Sequence, residues 1–197
     1  MNSGKLSGKL GSVEYSHRSN GVVFYKTEIA IKRLSGTEDV IPCVIPEELA
    51  KDLSYGSKVL LIGEVRTRNI MGADRKRHLS VFFHVKDADV NAYIEDENVI
   101  TGDGFICKPP VFRVTPLNRK ITDVVIANNR CYGFSDYIPS ITWDRLAEEV
   151  SDYSVGTHIQ CEGRLQSRKY TKVVNEETGE TVDRVAYELS INNIEII

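Results

Sequence analysis

Arg164, Gln166, Arg168 and Tyr170 occupy alternate positions in the run Gly163-Arg164-Leu165-Gln166-Ser167-Arg168-Lys169-Tyr170. In an extended chain they share one face, while Leu165 and Ser167 point to the other. Two guanidinium groups and an amide thus stand beside an aromatic ring, with Lys169 and Lys172 close by. Such a face offers cations to a phosphate backbone and a flat surface to unstacked bases, which is the chemistry of single-stranded nucleic acid recognition. Bond-making chemistry has no comparable set of residues. The sequence contains no phosphate-cradling glycine loop and no nucleophile with an ordered base, so an enzyme is not expected. Cys43, Cys107, Cys131 and Cys161 form no closely spaced pairs, and His17, His78, His84 and His158 form no motif with them. Neither a metal nor another cofactor is expected, and thiols on strands suit a buried structural role.

The elements that position this face are written twice. Ile29-Ala30 and Arg33 recur as Ile126-Ala127 and Arg130, 97 positions later, and Gly36, Asp39, Ile41-Pro42 and Leu49-Ala50 follow in the same register as Gly133, Asp136, Ile138-Pro139 and Leu146-Ala147. After a short insertion Gly56, Gly63 and Arg68 recur as Gly156, Gly163 and Arg168, 100 positions later. Glycines, prolines and apolar positions kept in step predict two copies of one domain. The acidic Glu95-Asp96-Glu97 marks a boundary between domains at 1–97 and 98–197. Because Arg130 is repeated as Arg33, it is open to a role in the fold as well as one in binding.

At 197 residues and 41% hydrophobic, the chain has enough apolar material for two modest cores and no run of membrane-spanning length. The start Met1-Asn2-Ser3-Gly4-Lys5 lacks the apolar core of a signal peptide. A reduced, cytoplasmic location without membrane contact is the expectation. A net charge of −3 excludes a uniformly basic protein, so a nucleic acid site must be a local basic patch.

Periodicity predicts strands at Val99–Ile106, Ile121–Asn128 and Asp136–Trp143 in the second copy, then a helix over Arg145–Val150 with Leu146 and Val150 on its apolar stripe and Thr142 or Asp144 as its cap. Two long strands, His158–Tyr170 and Val185–Ile197, are joined by an exposed tip at Asn175–Glu180. In the first copy Pro46 fits the first helical position, Glu47 and Glu48 complement the helix dipole, and Leu49 and Leu53 form the buried stripe. Val59, Leu61 and Val65 then alternate inward. The loop Gly72–Arg77 turns the chain, and Leu79, Val81, Phe83 and Val85 alternate on the return strand. Phe105 and Tyr187 are expected in the core. The fold class is mainly β: two tandem OB-fold barrels, each five-stranded with one short helix between strands 3 and 4.

From Ile126-Ala127 through Tyr137-Ile138-Pro139, Trp143, Leu146-Ala147-Glu148, the run Gly156–Tyr170 and Ala186-Tyr187-Glu188, the second half resembles the bacterial single-stranded DNA-binding protein family. The whole chain is similar to the tandem-domain members found in clostridia-like bacteria. The resemblance implies binding of single-stranded DNA with little sequence preference, in support of replication, recombination or repair. It implies four base-stacking positions, whose counterparts here are Tyr132, Tyr137, Trp143 and Tyr170, all aromatic. Arg168 and Lys169 match the family's basic positions more closely than Arg164 does. The first-copy equivalents of the four rings are Ser35, Val40, Pro46 and Ile70, none aromatic, so the first domain is expected to be a much weaker binder despite Arg66 and Arg68.

The resemblance also implies a homodimer that brings four OB domains together, with Val40, Pro42 and Val44 lining a contact. Replication proteins are the implied protein partners, although the chain ends on Ile194-Glu195-Ile196-Ile197 where the family often carries an acidic recruiting tail. The DNA-binding set is therefore Arg130, Tyr132, Tyr137, Trp143, Arg164, Gln166, Arg168, Lys169, Tyr170 and Lys172. The rival reading is an OB-fold accessory module, in replication restart or in RNA or protein binding, because that fold hosts many functions.

Overall fold

The computed structural model describes residues 2–72, 75–90, 95–175 and 179–197, with the side chains of 132, 172, 174, 175 and 180 outside that description. The tips expected at Gly72–Arg77 and Asn175–Glu180 lie partly outside the described residues. Among those described, the chain is mainly β. Its first half contains β1 (Asn2–Leu10), β2 (Glu14–Ser19), β3 (Val22–Lys32), β4 (Glu38–Pro46), helix α1 (Glu47–Ala50), β5 (Lys58–Met71) and β6 (Arg77–Asp89). The second contains β7 (Glu97–Ile106), β8 (Val111–Val114), β9 (Lys120–Asn129), β10 (Ser135–Trp143), helix α2 (Asp144–Ser151), β11 (His158–Asn175) and β12 (Glu180–Ile196).

Strand pairing follows the repeat. It runs β1–β3–β4–β6–β5 and returns to β1, then β7–β9–β10–β12–β11 and returns to β7. In each circuit one pair is parallel, β4 with β6 and β10 with β12, and the other pairs are antiparallel. The circuits join where β1 pairs antiparallel with β7, from Asn2 opposite Gly102 to Ser7 opposite Glu97.

Alternation of apolar residues explains the strands. Val59, Leu61 and Val65 on β5 and Val81, Phe83 and Val85 on β6 are buried, as are Ile159, Cys161 and Leu165 on β11. Leu79, expected with the β6 set, is exposed near the outer end of its hairpin. Phe105 is also exposed rather than core, and it stacks on His158 with ring centroids 4.3 Å apart. Tyr187 is half-buried against the core. Helix α2 buries Ala147 and Val150, with Leu146 only partly covered. Neither Thr142 nor Asp144 caps it: Thr142 is buried, with its hydroxyl donating to the Thr122 carbonyl at 3.4 Å, and Trp143 is the residue at the cap position. Pro46 likewise stands just before α1 rather than in its first turn.

Gly63 and Gly163, paired by the repeat, each mark a register shift, between Ile62 and Gly63 and between Glu162 and Gly163. A Cβ at Gly163 would penetrate the carbonyl oxygen of Ser190 and come within 2.9 Å of the Ile191 Cα, and one at Gly63 would meet the His84 carbonyl in the same way. Backbone cannot yield as a flexible side chain would. Gly163→Ala is therefore expected to destabilise the chain by about 1–3 kcal/mol, read as a lower urea midpoint with an unchanged slope.

The two halves also grip each other by reciprocal hydrogen bonds. The Thr67 N–H donates to Asp136 Oδ1 at 2.7 Å, and the Tyr137 N–H donates to Thr67 Oγ1 at 2.9 Å. At the repeated positions the Ser167 N–H donates to Asp39 Oδ1 at 2.8 Å, and the Val40 N–H donates to Ser167 Oγ at 3.1 Å. Asp39 and Asp136 are both buried, so each needs a cation. Arg33 supplies Asp39 with a two-pronged contact at 2.7 and 2.6 Å. Asp136 accepts a hydrogen bond from Arg66 Nη1 at 3.2 Å and forms an ion pair with Arg130, whose Nε lies 3.0 Å away without hydrogen-bond geometry.

Candidate nucleic-acid interface

A groove of about 800 Å³ crosses the outward face of the second half. Its walls carry Arg33, Arg119, Arg164, Arg168 and Lys169 together with Trp143, and among the described residues no carboxylate lines it. In a chain with net charge −3 this is a strong local concentration of positive charge. Arg164, Gln166 and Arg168 come from the alternating face of β11, as the period of two requires. Trp143 comes from the end of β10, and Arg119 from the turn before β9.

Arg164 is a half-buried cation that the protein itself satisfies poorly. Among the described residues its buried Nε has no hydrogen-bond partner, and its Nη2 donates only to Gln166 Oε1, at 3.3 Å. Burial lowers its pKa, the adjacent Arg33 charge lowers it further, and Asp39 opposes both. Two guanidinium groups on one wall, one of them already held by a carboxylate, make a place where an anion is favoured.

Trp143 is half-buried and lies in the groove wall. Its indole N–H donates to Ser190 Oγ at 3.1 Å, which fixes the ring plane, and the Arg119 guanidinium lies 4.7 Å from the ring centroid. Tyr137 and Tyr170 are exposed, and Arg168 sits 5.7 Å from the Tyr170 ring centroid. Tyr132 and Lys172 fall outside the described side chains.

Two residues of the expected set are engaged within the fold. Gln166 is buried, with its amide donating to Glu188 Oε1 at 2.8 Å; it supports the floor rather than facing solvent. Arg130 is drawn to Asp136 and lies over the Phe134 ring, matching the part Arg33 plays in the first half. Arg33, Thr37 and Arg119 also line the groove, although none of them belongs to the DNA-binding set expected from the sequence. Arg119 stands just before β9, whereas Arg33 and Thr37 reach across from the first half, which no local pattern reports.

A family model described as the single-strand binding protein family matches residues 97–197. The chain belongs to that family. Binding of single-stranded DNA is the activity that this membership carries. As a member of the single-strand binding protein family, the chain is also similar in fold to two crystal structures of the single-stranded DNA-binding protein from Thermus aquaticus. The wild-type form gives a TM-score of 0.78 at 17% identity, covering 100% of this chain and 93% of that one. A variant with a deletion and a point substitution gives 0.76 at 18% identity, covering 100% and 94%. No curated protein sequence matches the chain. Among the described residues of this family member no helix is long and apolar enough to cross a membrane, and no group of three or more His, Cys, Asp and Glu is arranged to hold a metal ion.

Proposed function

We propose that single-stranded DNA runs through the basic groove of the second half, with little sequence preference and without catalysis. Trp143, Tyr137 and Tyr170 stack on bases, and Arg164, Arg168 and Lys169 meet phosphates. The single observation that carries this reading is the groove whose described lining holds five cations, one indole and no carboxylate. Stacking is tolerant of sequence because every base has a π face, while the cations track the backbone. Gln166 and Arg130 act from behind, by holding Glu188 and Asp136.

The two strand circuits are then two OB-fold barrels, divided near residue 97, with a helix after the third strand of each. The groove is built mainly on the second barrel, and Arg33 and Thr37 complete its wall from the first. A homodimer presenting four such barrels, a cytoplasmic location, and a part in replication, recombination or repair alongside replication proteins complete the reading. It rests on family membership and on the resemblance to tandem-domain relatives. Titration with dT oligomers and with duplex DNA of equal length, followed by the emission of the chain's one tryptophan, tests it. Quenching by dT and not by duplex is expected, whereas stable association with a replication protein without DNA binding supports the accessory-module reading.

A further inference from the structure

The outward face of the first half matches that of the second position by position, and the comparison shows where its rings went. Phe24 pairs with Pro46 where Ile121 pairs with Trp143. Val44 pairs with His84 where Ile141 pairs with Ser190, and Arg66 pairs with Phe82 where Gln166 pairs with Glu188. The central strand has lost its ring, but the flanking strands have gained three. His17 adds a fourth, stacked on Phe24 at 5.1 Å between centroids with planes 14° apart, and His84 approaches Phe24 from the other strand at 5.8 Å. Arg68, the repeat counterpart of Arg168, lies 5.4 Å from the Phe82 ring centroid and has no carboxylate partner among the described residues. These rings are half-buried, as Trp143 is. Phe82, Arg68 and Val44 line a groove of about 430 Å³.

From this the geometry points to a second base-stacking face on the first half, formed by Phe82 under Arg68 and by Phe24 among its two imidazoles, that takes bases of the same single strand. The inference rests on the proposed reading of the second half. Glu14 and Glu28 also line this groove, and Glu14 pairs with Lys26 at 3.2 Å. Contact here is therefore carried by stacking more than by phosphate attraction, and it adds affinity without adding much salt dependence.

Anisotropy titrations of the full chain with dT oligomers of increasing length test the inference. Short oligomers should bind the natural chain and the Phe82→Ala variant alike. With long oligomers the variant should be weaker by roughly five- to 150-fold, the range for one lost stack, at an unchanged salt slope. Should the alanine variant fail to fold, the emission of a Phe82→Trp, Trp143→Phe chain gives the same answer through quenching by long dT. Equal affinity at every length, or an emission indifferent to long dT, overturns the second face while quenching of Trp143 in the natural chain leaves the first groove standing. A change of oligomeric mass without a change of DNA affinity also overturns it, because the face would then be a contact between chains. If dT affects neither chain, both readings fail together.

Discussion

Replacing Asp136 with alanine is expected to lower the unfolding free energy by about 3–5 kcal/mol, the cost of stranding buried partners of a lost charge. The carboxylate is fully buried, and three groups converge on it: the Thr67 N–H, Arg66 and Arg130. Arg66 also pairs with Glu64, so it keeps one anion, but among the described residues Arg130 retains only the Phe134 ring. The Thr67 N–H bond to Asp136 and the Tyr137 N–H bond to the Thr67 hydroxyl join the two halves, so the loss falls on the seam as well as on one circuit. Asp136→Asn keeps an acceptor for the Thr67 N–H and should cost less than the alanine. Urea denaturation separates the two variants. Near-equal midpoints for Asp136→Ala and the natural chain would show that the seam does not depend on this carboxylate.

The second large effect is electrostatic. Removing Arg164, Arg168 and Lys169 together should flatten the plot of log affinity against log salt by about 2 units, since each neutralised phosphate of a single strand contributes roughly 0.7. The gap between the natural and variant chains should then narrow on the order of a hundredfold over a tenfold rise in salt. The three side chains line one groove, and the weakly paired Arg164 and Lys169 compete least with protein carboxylates; Arg168 stands 3.6 Å from Glu188. An unchanged slope would remove them from the phosphate path.

Much of the architecture was legible because alternation and the repeat report the same thing. β9, β10, β11 and β12 follow from period-two runs, and α2 from the change of period at Arg145–Val150. β8 did not, because all four of its residues are exposed and leave no alternation to read. The repeat flagged Arg33 with Asp39 and Arg130 with Asp136, but not their purpose. Asp136 meets Thr67 across 69 positions and Asp39 meets Ser167 across 128, distances that only the pairing of β1 with β7 makes short. Subtracting the repeat offset found no ring on the central strand of the first half, and it could not see Phe24, Phe82 and His84 on the strands to either side. Gln166 matched the expected period and still turned out to be buried, because Glu188 on β12 offers its amide a partner inside the sheet.

The most direct test of the account is the emission of Trp143, the chain's one tryptophan, during titration with dT. The indole is half-buried in the groove wall, so a stacked base should have direct access to it and quench most of its quenchable emission. The account predicts quenching that saturates with binding, is reversed by salt, and is not reproduced by duplex of equal length. An emission that stays constant at saturating dT, with binding confirmed by anisotropy, would contradict the placement of the strand in this groove.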